Sequence, residues 1–457
     1  MMIILGLGAA LLIIFAAGLG VTLIAARGQR SVNLPEILAL SWFFGTGLIS
    51  LLVWVGGFLF SGLLLQAFVT VISLGLGTIG LYLVRRNGMR ASVPVPRRPI
   101  EWILIAAVAA QFVAMFYLSF SYGLGWDGLL NFEIKARYAF LNHGVIPAAY
   151  FSDTTRDFTH QAYPPWIPLT ELWLYLWMGA AHQFWLKLLF APFYVAGVIL
   201  LAILGKRLTG RRWIGLLTAA LLFFVPCLTT MPGGVQVGYV DTPISMLYLA
   251  AIGYLLCAAE KTEPFYWRIF ALSLALLPWA KREGAILWLI AAVCGVFVLW
   301  QTRRSPRALF WLLPGFIIMI AWKAFYSTMG KTELFEYLPM TFSTLMKNLP
   351  RIGPIARGLG TLMIDTVEWS ILWPLALIAF VTLFWRRFDR RVLVLFVAVS
   401  GPITIYAAMY IFSGWPDWMA HIEQSFSRLL LHVVPVVWLA LALALRPPAV
   451  RPETSEL

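Results

Sequence analysis

Charge is scarce in this chain, and a few of its charged residues stand where charge is hardest to keep. Asp127 lies in Gly125-Trp126-Asp127-Gly128, just after the apolar run 102–122, with Glu133, Lys135 and Arg137 close behind it. Carboxylates at the edge of a bilayer are expensive unless something uses them. An aspartate there has the chemistry of a general base for an acceptor hydroxyl or amine; the plainer reading is a solvated loop acid. Glu133 and Arg137, four residues apart, also fit an ordinary pair on a helix surface. A second aspartate, Asp241, opens an apolar run in Gly238-Tyr239-Val240-Asp241-Thr242-Pro243. It either caps the helix that Pro243 begins or faces the same cavity as Asp127. Ala280-Lys281-Arg282-Glu283-Gly284 sets two adjacent cations between apolar runs. A phosphate would account for them, and so would snorkelling to the interface with Glu283 as partner. Arg428, in Ser425-Phe426-Ser427-Arg428, opens the last apolar run, where it could hold a second phosphate oxygen or pair with an acid. His160 and Tyr163, in His160-Gln161-Ala162-Tyr163-Pro164-Pro165, complete the candidates. His160 with an acid could ligate a metal, although no histidine spacing here is that of a dedicated site, so metal stays open.

The elements that must position these residues are membrane spans. Of 457 residues 61% are hydrophobic and only 12% charged, which excludes an ordinary soluble domain. Runs of about 20 apolar residues recur, each long enough to cross roughly 30 Å of hydrocarbon as a helix. We expect an all-α polytopic protein with about thirteen spans: 2–26, 37–60, 62–84, 101–121, 184–205, 213–230, 242–259, 266–280, 284–301, 308–326, 369–386, 391–411 and 427–446. The first is a retained span, because Met1-Met2-Ile3-Ile4 lacks the basic start of a cleaved signal. The segment 164–181, with two prolines, Glu171 and several tryptophans, is expected as an interfacial helix in the outer leaflet.

The net charge of +14 is a matter of topology rather than of a nucleic-acid partner. Arg27 and Arg30, then Arg85 to Arg98, Lys206 to Arg212, Arg303 to Arg307 and Arg386 to Arg391 fill short connections on one side of the expected threading. The positive-inside rule makes that side cytoplasmic. Two long loops, about 122–183 and 327–368, then face outward together with Asp127, Asp241, Lys281 and Glu283. Three cysteines, Cys227, Cys257 and Cys294, fall within apolar runs and read as buried side chains. No phosphate-cradling glycine loop or nucleotide fingerprint is present, so a soluble nucleotide donor is not expected.

Asp127, the Tyr163-Pro164-Pro165 segment, Asp241 and Ala280-Lys281-Arg282-Glu283-Gly284, in this order between spans, resemble the GT-C superfamily of membrane glycosyltransferases. The branch is that of the protein O-mannosyltransferases and the lipid A aminoarabinose transferase, and 101–300 carries most of the likeness. The resemblance implies a sugar donor on a polyprenyl phosphate, an inverting displacement at the outer face of the cytoplasmic membrane, and a lipid, polysaccharide or protein acceptor. Asp127 would be the base, with Asp241 also catalytic. Lys281, Arg282 and Arg428 would hold the departing phosphate, while Glu133, Lys135, His160 and Tyr163 would contact substrate. A divalent metal is a possible cofactor. The chain departs from the family in placing Gly128 where many relatives carry a second acid. Three spans also precede that of the catalytic loop. We divide the chain into an N-terminal extension (1–100), a catalytic membrane module (101–330) and an outer loop with C-terminal spans (331–457). Two alternatives stand beside this reading: a transporter or flippase of a lipid-linked intermediate, and an O-antigen-type polymerase or ligase. A transporter would bury charge near the bilayer midplane, and a polymerase or ligase would depend mainly on arginines.

Overall fold

The computed structural model describes residues 1–231, 234–329 and 336–447. The chain is an all-α polytopic membrane protein. Its principal helices are α1 (Met2–Ala25), α2 (Leu34–Gly56), α3 (Gly62–Arg86), α4 (Pro99–Ser121), α5 (Trp166–Met178), α6 (Ala191–Thr209), α7 (Arg212–Leu221), α8 (Asp241–Glu260), α9 (Pro264–Ala280), α10 (Gly284–Gln301), α11 (Leu313–Ser327), α12 (Ile352–Met363), α13 (Leu372–Arg387), α14 (Arg390–Met409), α15 (Trp418–Leu431) and α16 (Val434–Ala444). Among the described residues nine helices are long and apolar enough to cross a membrane, and α15 with α16, bent by 50°, makes a tenth. The three further segments expected as spans form shorter helices: α7 with the turn after it, α9 and α13. Residues 330–335 and 448–457 of the expected regions lie outside the described residues.

Two placements differ from expectation. The segment expected as an interfacial helix is α5, and it is enclosed by protein: every residue from Trp166 to Tyr175 is buried. Its tryptophans pack inward against α1 and α2, and Trp173 Nε1 donates to Ala10 O at 3.2 Å. Arg428 does not open a helix. The last element starts ten residues earlier at Trp418, and Arg428 ends its first half, one turn before the break that His432 and Val433 form ahead of Pro435.

The centre of the molecule is α8, which is buried from Asp241 to Ala259 and touches α6, α9, α10, α14 and α16. A helix hidden on every side fixes both of its ends. One end carries Asp241. At the other, Arg304 donates to Ala258 O and Lys261 O, both at 2.7 Å, and Arg390 donates to Ala259 O. These cations meet the negative end of the α8 dipole and its orphan carbonyls. Nearby, Arg207 forks onto Glu36, which also accepts from Tyr254, and Arg391 pairs with Glu260. A two-stranded parallel pairing, β1 (Ser31–Asn33) with β2 (Arg90–Ser92), ties two basic loops together. The basic connections therefore gather at the end of the bundle opposite Asp241.

Candidate functional site

Asp127 is the first residue of a π-helical turn, Asp127–Glu133. That turn lies against the loop leading into α8: Gly125 N donates to Val237 O at 2.8 Å. At Gly128 an added Cβ would lie 2.5 Å from Val237 O, so only glycine permits this approach. The Asp127 loop is thereby zipped to the residues just before Asp241. On the other side, the turn Lys281–Glu283 between α9 and α10 is equally tight, since a Cβ at Gly284 would fall 1.8 Å from Leu277 O.

Three cations or potential cations, Lys281, Arg428 and His432, surround the two aspartates. Asp241 is fully buried and both of its oxygens are engaged. Oδ1 accepts from Lys281 Nζ at 2.8 Å and lies 3.0 Å from His432 Nε2. Oδ2 accepts from Arg428 Nε at 3.1 Å and Nη2 at 2.9 Å. Arg428 Nη2 also reaches Asp127 Oδ2, so one guanidinium joins both carboxylates. Its plane lies over Tyr239, 4.6 Å from the ring centroid. Beyond His432, Nδ1 is 3.0 Å from the Tyr406 hydroxyl. The Asp241 carboxylate bonds to Lys281, Arg428 and His432 and, among the described residues, to no backbone N–H of its own helix, so helix capping does not account for it.

A cavity of about 530 Å³ opens beside this cluster, lined by Asp127, Lys281, Arg282 and Arg428 among others. Asp241 does not line it. The described residues give Asp127 Oδ2 to Arg428 and offer Oδ1 no hydrogen bond. Tyr163 forms one wall, with His160 stacked on it at 4.7 Å and the charged groups of Lys135, Lys281 and Arg282 at 5.6, 5.8 and 5.3 Å from its ring. Arg282 pairs with Glu336 at 3.5 Å, and His160 Nδ1 lies 3.5 Å from the same carboxylate. Burial lowers the Lys281 ammonium, but Asp241 and Glu283 outweigh it and hold the group above the usual lysine range. Burial pushes His160 down to about 4, so its ring is neutral at pH 7. Trp126, Trp415 and Tyr337 give the cavity an aromatic rim, and Trp415 stacks on His421 at 4.6 Å.

The expected residues divide accordingly. Asp127, Lys281, Arg282, Arg428, His160 and Tyr163 meet at the cavity, with Asp241 behind them as the shared counterion. Lys135 sits behind the wall, donating to His160 O at 2.8 Å, and burial lowers it to about 7. Glu133 is turned away from the cavity: it accepts from Arg137 at 2.9 Å and from the Tyr175 hydroxyl at 2.8 Å. Beside it, Glu171 is fully buried, and neither of its oxygens finds a hydrogen bond among the described residues. His432 and Tyr406 escaped the sequence reading. The signal was there, because His432 follows Arg428 by four residues inside an apolar run. Among the described residues no three His, Cys, Asp or Glu side chains converge as a metal site. Compared with protein-family models and with curated proteins, the chain finds no match.

Proposed function

We propose that the protein is a glycosyltransferase of GT-C type. It would take a sugar from a polyprenyl-phosphate donor at the outer face of the cytoplasmic membrane and pass it to a lipid, polysaccharide or protein acceptor. The observation that carries this reading is the meeting of one carboxylate with an unengaged oxygen, Asp127, and three cations, Lys281, Arg282 and Arg428, around a single cavity. The acceptor oxygen attacks the anomeric carbon and gives its proton to Asp127, while the bond from that carbon to the phosphate oxygen breaks. The electron pair leaves with the polyprenyl phosphate, and one displacement inverts the centre. Charge grows on the phosphate as the bond breaks, where fixed cations are most effective. Asp241 has no free oxygen to accept a proton; its work is to hold Lys281 and Arg428 in place. The basic end of the bundle supports a cytoplasmic placement for that side and an outward-facing cavity. The short helices α7, α9 and α13 complete a thirteen-span reading.

The test is Asp127→Asn in the native host at matched membrane abundance, comparing envelope glycans and extracted polyprenyl-phosphate sugars with wild type. Loss of one sugar from a glycan with accumulation of its lipid donor is the expected result. Unchanged glycans and lipids would remove Asp127 as the base.

A second reading, a transporter or flippase of a lipid-linked intermediate, draws on Glu171, a fully buried carboxylate of α5 whose oxygens find no hydrogen bond among the described residues. Under it Glu171→Gln abolishes function while Asp127→Asn spares it.

A further inference from the structure

One segment of the cavity end belongs neither to a span nor to the cavity wall. Leu338 N donates to Phe412 O at 2.6 Å, Asn348 Nδ2 to Ile411 O at 2.8 Å and Arg351 Nη1 to Ser413 O at 3.0 Å. All three acceptors lie where the apolar run Arg390–Phe412 ends, so residues 338–351 are fastened at the level at which a span leaves the hydrocarbon. Met409, three residues earlier, lines the cavity, so this is the cavity's end of the bundle. From Phe342 to Met363 the chain is helical throughout, as a helix Phe342–Asn348, one turn Leu349–Arg351, and α12.

Its apolar residues fall into two sets. Ile355 and Leu359 are buried, and α12 packs on α15. Phe342, Met346, Leu349 and Ile352 recur every three or four residues and are 77, 50, 37 and 46% exposed, with Met340 before them at 62%. Lys347 and Arg357 are exposed beside them, and Arg351 lies 5.4 Å from the Trp418 ring. An exposed apolar stripe accompanied by cations, held at the end of a span, has the composition of a helix lying in the plane of a membrane surface.

We propose that residues 340–357 are seated in the headgroup region on the cavity side and bind anionic phospholipid. Phe342, Met346, Leu349 and Ile352 enter the acyl boundary, while Lys347 and Arg357 meet the lipid phosphates. Each such cation strengthens attraction to an anionic surface by roughly fivefold. The seating bears on the cavity through α15: Gly358 packs so closely on Met419 that an added Cβ would lie 3.0 Å from its Cε, and α15 also carries Arg428. The proposal is independent of the transfer chemistry.

The test uses the full chain with its three cysteines replaced by alanine, a Met346→Cys substitution carrying a bimane label, and reconstitution into vesicles that contain nitroxide-labelled lipids. The label is expected to be quenched in pure phosphatidylcholine and more strongly with 30% phosphatidylglycerol, a roughly threefold composition effect that Lys347→Glu with Arg357→Glu removes. Equal quenching in the two compositions overturns the lipid-charge claim. No quenching in either overturns the seating itself and leaves a protein partner as the cover of this stripe.

Discussion

The two ends of the central helix handle charge in opposite ways. At the Glu260 end, arginines terminate on backbone carbonyls and on Glu36 or Glu260, each engaged with a helix end or its own carboxylate. At the Asp241 end, Lys281 and Arg428 are held by a buried aspartate, yet both border a cavity of about 530 Å³. The first arrangement stabilises helix ends, and the second leaves two cations bordering open space. The lesson is that cation density alone does not mark a site in a membrane protein. The mark is a cation whose counterion is shared and whose other side is open.

That contrast can be broken experimentally, beginning where the effect should be largest. Asp127→Asn keeps the size and hydrogen bonding of the side chain but removes the proposed base, and the proposed sugar transfer should fall about 10²–10⁴-fold with thermal stability nearly unchanged. Asp241→Ala should act differently. It leaves Lys281, Arg428 and His432 around an empty counterion position, and loss of one partner from a buried charge cluster costs about 3–5 kcal/mol. Thermal unfolding in detergent should therefore shift clearly downward, with activity lost alongside stability. At the far end, Arg304→Ala should cost about 1–2 kcal/mol through its two carbonyl bonds and leave transfer per folded molecule unchanged. A loss of transfer there without unfolding would erase the distinction between the ends.

A smaller effect concerns pH. Lys135 is held near 7 by burial, so it is charged below that value and neutral above it. Because its charge contributes to the field around the Tyr163 wall, phosphate affinity should weaken as pH rises through about 7. Lys135→Met should flatten that step. Stability carries the opposite sign: between about 7 and 10.5 the unfolded chain holds a proton that the folded chain does not, so stability rises with pH across that window. Smallest of all should be Glu133→Gln, which alters only the contact to Arg137 and Tyr175 and should leave transfer intact.

Much of this was legible in the sequence, for identifiable reasons. Hydrophobic runs of span length gave the all-α membrane class, because no other fold satisfies backbone groups in lipid over such lengths. Asp127, Asp241, Lys281 and Arg428 were recognisable because charge at the border of an apolar run is costly. Burial of α5 was not legible. Tryptophans and prolines suit a membrane interface as well as a packed interior, and only the neighbours decide. The break at His432 was hidden because Val433-Val434-Pro435-Val436 continues the apolar run, so one span could not be told from two halves. The role of Asp241 depended on geometry alone. A carboxylate that opens a helix looks the same in sequence whether it caps that helix or serves three cations.

The central claim is that the cavity's cations bind a lipid-linked phosphate while those at the opposite end do not. The most direct measurement is the affinity of the purified protein for a polyprenyl monophosphate, taken for wild type, Lys281→Met and Arg304→Met in the same detergent. Wild type and Arg304→Met should bind alike, and Lys281→Met should bind at least about tenfold more weakly, the loss of one charge-assisted contact. Equal binding by Lys281→Met and wild type would contradict the account.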